Sequence, residues 1–239
     1  MSYRAKQSPI HSGLSESFLD VLLRVNATQK SLAVCHTDNR IDKILDKFGL
    51  YCIDFSVNNA PAINRYIYKL IIEATKESKE NNKQLQALTQ CKSKHKIIIF
   101  DGLNCFNIAK FKSFLSEDTT LESIAMVHEP DPFSLLISIY RYFMEQAALN
   151  INLKLVIIYC DDSFISDLME FLIQRKLSLY VVLISYSVST VYSRGLYNGE
   201  VQGIEFLTID STSESINVKK TFKGKVKCIA SFNNLQPKN

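Results

Sequence analysis

Apolar and polar residues alternate along the chain in blocks that predict buried strands separated by helices. Continuous apolar runs bounded by polar clusters predict strands at 32–35, 50–55, 97–101, 153–160 and 177–184. Runs without alternation are typical of strands buried on both faces, the pattern of a parallel sheet. Strands of that kind require crossover connections, which here are predicted to be helices.

The predicted helices show apolar residues at helical spacing or clear start signals. After Pro61, the residues Ile63, Ile67, Leu70 and Ile71 follow an i, i+4, i+7, i+8 pattern, which indicates a core-facing helix. Asp131 followed by proline is typical of a helix N-terminus. Further helices are predicted at 17–25, at 40–48, from 131 through 144 and from 161 through 172.

The pattern changes in the last forty residues. Short strand-like runs at 204–209, 216–222 and 225–232 are separated by turn-forming residues, which predicts an antiparallel meander. We therefore expect one α/β domain over 1–239, with a mostly parallel sheet flanked by helices. Within it we expect a flexible N-terminus at 1–16, a polar insertion or helix extension at 77–96 and a C-terminal β segment at 201–239.

Composition favours a soluble intracellular protein. The chain has 46% hydrophobic and 22% charged residues, with no apolar stretch of membrane-spanning length and no secretory signal. None of the six cysteines forms a C-x-x-C unit, so reduced core thiols are expected and a zinc ribbon is not.

Asp101 raises the question of nucleotide binding, because a buried strand that ends in aspartate is similar to the Mg²⁺-holding strand of a RecA-type core. The same pattern also ends a strand in a turn, which is the interpretation we favour. The sequence contains neither G-x-x-x-x-G-K-[ST] nor G-x-G-x-x-G. The stretch 36–42 after the first predicted strand has no glycine and carries Asp38 and Asp42, so we expect no phosphate loop and no bound nucleotide.

Other catalytic patterns are also missing from the sequence. It contains no G-x-S-x-G and no H-E-x-x-H, and its four histidines are scattered. Asp161 and Asp162 follow a predicted strand, where α/β active sites form, but Asp-Asp-Ser is also an ordinary helix cap, which we favour. We therefore predict no catalytic residue, no metal site and no cofactor.

Positive charge is concentrated at the C-terminal end. Residues 217–239 contain six lysines and no acid, whereas the preceding 216 residues hold 22 basic and 24 acidic side chains, a balance of −2. A basic hairpin can contact a nucleic-acid backbone, although lysines also protect exposed edge strands. The candidate RNA-contacting residues are Lys219, Lys220, Lys223, Lys225 and Lys227.

The order of elements resembles the RecA-fold subunits of the Elongator complex, in particular its sixth subunit. The residues that carry the resemblance are Asp101 with Gly102-Leu103, the 177–184 strand followed by Val201-Gln202-Gly203-Ile204, and the closing stretch 222–232. The resemblance implies a RecA-like core without a phosphate loop that ends in a β-rich segment. The family's Thr-Gly pair before the Val-x-Gly step has no clean match, because Arg194-Gly195 lies out of register.

The resemblance also implies a function and partners. The chain would be a non-catalytic member of a hetero-hexameric ring with the fourth and fifth subunits, assisting wobble-uridine modification of tRNA by the catalytic subcomplex in the cytoplasm and nucleus. An alternative is a degenerate RecA-type recombination paralogue in a DNA-repair mediator complex. A third is a small-molecule α/β enzyme that uses Asp101 and Asp161.

Overall fold

A computed structural model of the chain describes residues 41, 44–45, 47–75, 95–115, 121–146, 153–175, 177, 179–191, 204–212, 215–222 and 225–233. Eight strands are present in this part of the chain: β1 Gly49–Asp54, β2 Ile97–Asp101, β3 Ile124–His128, β4 Leu155–Tyr159, β5 Tyr180–Ser185, β6 Ile204–Ser211, β7 Ser215–Phe222 and β8 Lys225–Asn233. The α-helices are α1 Ala60–Thr75, α2 Ile108–Lys112, α3 Pro132–Arg141, α4 Ile165–Gln174 and α5 Val188–Val191. A π-helical turn, Tyr142–Gln146, extends α3, and a 3-10 turn, Asp162–Phe164, precedes α4.

The eight strands form one sheet in the order β3-β2-β4-β5-β1-β6-β7-β8. The strands from β3 to β6 in that order are parallel, and β7 is antiparallel to both β6 and β8. The predicted α/β class, the mostly parallel sheet and the antiparallel end are thus confirmed. Because β1 lies between β5 and β6, the order differs from both common doubly wound orders, 3-2-1-4-5-6 and 2-1-3-4-5.

Each face of the sheet carries its own apolar core. Alternate residues of β1 enter different cores, with Tyr51 and Ile53 on one face and Leu50 and Cys52 on the other. Helices α1 and α2 cover the first face, and α3 and α4 cover the second. All four residues of the predicted α1 stripe are buried, so the helical spacing after Pro61 identified the buried face correctly.

The predicted strands that fall among the described residues agree with the structure to within about three residues. The structure also contains a strand that was not predicted, the five-residue edge strand β3. Within the predicted 40–48 helix, Ile41 lies in a 3-10 turn and its carbonyl accepts the N–H groups of Ile44 and Leu45 at 2.7 and 2.8 Å, whereas residues 44, 45, 47 and 48 lie in turns and bends. The other residues of that helix lie outside the described part of the chain. The predicted helix at 17–25, the strand at 32–35, the N-terminus 1–16 and nearly all of 77–96 lie outside the described residues.

Candidate functional site at the carboxyl edge of the sheet

The carboxyl ends of the parallel strands form the edge at which α/β proteins bind ligands. Four carboxylates lie there at the ends of β1, β2 and β4. Asp54 ends β1, Asp101 ends β2, and Asp161 and Asp162 follow β4. Since carboxylates at such an edge hold metal ions or act as acids and bases in many enzymes, their hydrogen-bond partners decide what this edge can do.

Asp101 holds the turn that follows its own strand. The side chain is fully buried, and its Oδ1 and Oδ2 accept the backbone N–H groups of Cys105 and Phe106, each at 3.0 Å. The Asn64 side chain of α1 donates to the carbonyl of Cys105 at 3.2 Å. Both carboxylate oxygens are therefore engaged by the backbone, which is the geometry of the turn interpretation.

The turn after β2 also packs closely against its neighbours. The N–H of Gly102 donates to the carbonyl of Tyr159 at 2.9 Å. A Cβ at this glycine would lie 2.5 Å from Cδ2 of Leu135, so only glycine fits without a shift. Asn104 has φ of 52°, a left-handed conformation that asparagine tolerates. Asn107 then caps α2 by accepting the N–H of Lys110 at 2.8 Å.

Asp162 is engaged by serines of the turn after β5. Its Oδ1 accepts the Ser185 hydroxyl at 2.6 Å and the Ser187 N–H at 3.0 Å, and its Oδ2 accepts the Ser187 hydroxyl at 2.7 Å. Partial burial raises the pKa of Asp162, but the hydrogen bonds from Ser185 and Ser187 outweigh it and hold that pKa below its ordinary value. The carboxylate is thus stabilised in its charged form.

Asp54 engages the same turn from the other side. Its Oδ1 accepts the N–H of Ser189 at 2.9 Å, and its Oδ2 accepts the Ser189 hydroxyl. Because β5 lies between β4 and β1 in the sheet, the segment from Ser185 to Ser189 is held by carboxylates on both sides. We call this segment with Asp54 and Asp162 the serine clamp.

Asp161 acts as a helix cap. Its Oδ1 accepts the N–H of Ser163 at 2.8 Å at the start of the turn that leads into α4. This contact confirms the helix-cap role predicted from the Asp-Asp-Ser sequence. The structure does not bring Asp101 and Asp161 together with a third ligand: among the described residues, no group of three or more His, Cys, Asp or Glu side chains is placed to hold a metal ion.

Phosphates often bind where a strand turns into the N-terminus of a helix, which in this chain is the turn between β1 and α1. The stretch 36–42, for which the sequence predicted no phosphate loop, lies almost entirely outside the described residues. The turn contains no glycine and no basic residue from Phe55 to Asn59. Ser56 N–H donates to Asn59 Oδ1 at 2.7 Å, and Ala60 N–H donates to the Ser56 carbonyl at 2.9 Å. Pro61 has no N–H. The N–H groups of Ser56 and Ala60 are therefore used within the turn, and Pro61 offers none to a phosphate.

A small cavity between α3 and α4 lies near the same edge. It is lined mainly by apolar side chains, among them Leu135, Cys160, Phe164 and Leu168, and has a volume of about 10 Å³. That volume is about the minimum for one water molecule, which is far too small for a nucleoside.

In the part of the chain that the structure describes, no helix is long and apolar enough to cross a bilayer.

Ion pairs occupy two of the five candidate lysines. Lys219 contacts Asp210 at 2.6 Å, and Lys220 contacts Glu205 at 2.5 Å. Glu205 is only 4% exposed and also accepts from Lys47 at 3.0 Å. This buried carboxylate fixes the meander to the main sheet, a role that its position in an alternating strand did not reveal.

The other candidate lysines lie near the turn between β7 and β8. Lys225 and Lys227 occupy alternate positions of β8, and Lys227 is exposed. Lys223 lies outside the described residues. The structure therefore does not bring the five lysines together as one cationic patch; two belong to ion pairs and two belong to an edge strand.

A comparison with protein-family models gave no match for this chain. No curated protein is significantly similar to it in sequence.

Proposed function

We propose that this chain is a non-catalytic subunit with a RecA-like core that acts within a larger assembly. The observation that carries the proposal is the state of the carboxyl edge, where the four carboxylates that end or follow β1, β2 and β4 accept hydrogen bonds from the turns around them. A carboxylate engaged in this way has a structural role. The edge is thus arranged to hold its own loops in place.

The RecA-like assignment is supported by the mostly parallel sheet with helices on both faces and by the antiparallel strands that end it. These are the two features that the resemblance to the Elongator ring subunits implies. The two common doubly wound orders do not fit, because β1 is inserted between β5 and β6.

The absence of nucleotide chemistry is part of the proposal. The turn from Phe55 to Asn59 offers neither the glycine nor the lysine of a phosphate loop, and Asp54 would repel a phosphate there. Calorimetry with ATP or GTP in the presence of Mg²⁺ tests this directly. We expect no binding at micromolar concentrations, whereas Mg²⁺-dependent micromolar affinity abolished by Asp101→Ala would overturn the proposal.

The assembly we propose is the ring of fourth, fifth and sixth Elongator subunits, which assists wobble-uridine modification of tRNA while the chemistry occurs on the catalytic subcomplex. The test is affinity purification of the tagged full chain from its native cells, followed by identification of the stoichiometric partners. Recovery of the other ring subunits supports the proposal. Recovery of recombination proteins would instead favour the alternative function, a RecA-type paralogue in a DNA-repair mediator complex. The hydrogen-bonded carboxyl edge of the sheet is compatible with that function as well.

A further inference from the structure

An apolar stripe, exposed at two positions of α3 and half-buried at the others, follows the seam between α3 and α4. On α3, Phe133 is 58% exposed and Ile137 is 44% exposed, although both are large hydrophobic side chains. The stripe continues across the seam through ring contacts, with Phe133 and Phe164 at 6.2 Å and Tyr140 and Phe171 at 4.4 Å between ring centroids. We call these five side chains the α3–α4 stripe.

Two acidic residues of α4 lie near Tyr140 of the α3–α4 stripe, since burial together with the negative charges of Asp167 and Glu170 raises the pKa of the Tyr140 hydroxyl. The segments 131–146 and 161–175 contain six acidic and two basic residues, a net charge of −4. Arg175, one of the two basic residues, already makes a cation–π contact, because its guanidinium lies 4.9 Å from the centre of the Phe171 ring. Asp167 and Glu170 are both exposed on α4. The stripe therefore suits an occupant that is apolar and positively charged.

The start of β8 has the complementary character. Its first three residues are Lys225-Val226-Lys227, and Val226 is 62% exposed. β8 is the last strand of the sheet, so its outer side has no strand beside it in the part of the chain that the structure describes. Residues 217–239 carry six lysines and no acid. This edge thus presents an exposed aliphatic side chain within a strongly basic segment.

The two surfaces lie at opposite ends of the molecule. Helices α3 and α4 cover β2, β4 and β5, whereas β8 is five strand positions beyond β4, about 24 Å at the usual strand spacing. A rigid sheet cannot bring its own β8 to its own α3–α4 stripe. A second molecule can, and the two different surfaces then meet head to tail.

We propose that the α3–α4 stripe receives the β8 edge of a second copy of this chain. Because successive side chains of a strand point to opposite faces, Val226 packs against Phe133 and Ile137 of α3 from one side of the docked edge, and Lys227 faces Asp167 and Glu170 of α4 from the other. The contact is heterologous, so each bound copy leaves one stripe and one β8 edge free for the next. Opposite charge at the rim sets the orientation and makes association sensitive to salt.

Sedimentation velocity of the full chain over a range of concentrations, at low and high salt, tests the proposal. We expect concentration-dependent association that weakens with salt. Ile137→Glu removes the apolar centre, Glu170→Lys reverses one rim charge, and each should weaken association about tenfold or more. The matched control is Glu122→Lys, an exposed acid before β3 on neither surface, which should leave association unchanged.

A charge swap distinguishes docking from loss of folding. Asp167→Lys with Glu170→Lys, and separately Lys225→Glu with Lys227→Glu, should each abolish self-association, and an equimolar mixture of the two variants should restore it. A chain that stays monomeric at every concentration and salt overturns the proposal, as does a mixture that fails to associate. It is also overturned if the Lys225/Lys227 variant associates normally but loses affinity for tRNA, which would assign these lysines to RNA.

Discussion

The carboxylate of Asp54 accepts both the backbone N–H and the hydroxyl of Ser189, a residue 135 positions further along the chain. Asp162 makes the equivalent contacts to Ser185 and Ser187 from the opposite side. The ends of three adjacent strands are thus tied together through a single turn.

The contact between Asp54 and Ser189 should contribute measurably to stability. We expect Ser189→Ala and Asp54→Ala each to lower the free energy of unfolding by about 1–2 kcal/mol. The double variant should cost less than the two single changes together, because both remove the same contact. Urea unfolding measures all three, and the exposed Ser163→Ala serves as a control with an effect below about 0.5 kcal/mol. Strict additivity would show that the two residues act independently.

Glu205 should be the most sensitive member of its ion-pair group. The carboxylate is buried, whereas Lys47 is 55% exposed and Lys220 is 22% exposed. Glu205→Ala should lower the free energy of unfolding by about 2–3 kcal/mol, because it removes both ion pairs at once, one of them with a lysine that is only 22% exposed. Lys47→Ala should cost less than about 1 kcal/mol, since its charge is solvated. An equal cost for the two variants would contradict the ranking.

Two tyrosines of α1 provide a matched pair. The Tyr66 hydroxyl is buried without a hydrogen-bond partner among the described residues, and burial raises its pKa, whereas the Tyr68 hydroxyl donates to the carbonyl of Asn107 at 3.1 Å. Tyr66→Phe should leave stability unchanged or raise it, because a desolvated hydroxyl is removed at no cost in bonding. Tyr68→Phe should cost about 1 kcal/mol. Thermal unfolding distinguishes the two, and the reverse order would contradict the assignment.

Asp162 should make stability depend on pH in the acid range. Its pKa is lower in the folded chain than the ordinary value of 3.8, so its contribution is fully present above that value and is lost as the pH falls through the folded pKa. The wild type should therefore lose more stability than Asp162→Asn as the pH is lowered below about 4. Parallel acid titrations followed by circular dichroism measure the difference. Coincident curves would show that the serine hydrogen bonds do not favour the charged carboxylate.

Local patterns in the sequence predicted individual elements well. The runs that became β2 and β4 are apolar throughout because both faces of each strand are covered, and such runs are recognisable without knowledge of the fold. The cap at Asp131 was recognisable for a similar reason, since its bond to the N–H of Ser134, at 2.8 Å, spans only three residues. The strand β3 was missed because it is short and lies at an edge, where partial exposure weakens the pattern.

Long-range relationships could not be obtained in this way. The position of β1 between β5 and β6 depends on the direction of each crossover, which no local pattern specifies. The partner of Asp54 was equally hidden, because a carboxylate at the end of a strand carries no mark of a serine 135 residues away. The spacing of Ser185, Ser187 and Ser189 was visible in the sequence, but only the sheet order shows that it serves two strands at once.

The insertion of β1 between two late strands has a consequence for synthesis of the chain. Gly49 pairs with Tyr180 and Leu50 with Ile204, so every bond along both sides of β1 joins residues more than 125 positions apart. Such pairings form slowly, because a long loop must close before any contact is gained. While the ribosome makes the intervening segment, both edges of an apolar strand, GLYCID, remain without their native neighbours. A nascent chain that ends before residue 204 keeps one of these edges open, which makes it a substrate for chaperones or a seed for aggregation.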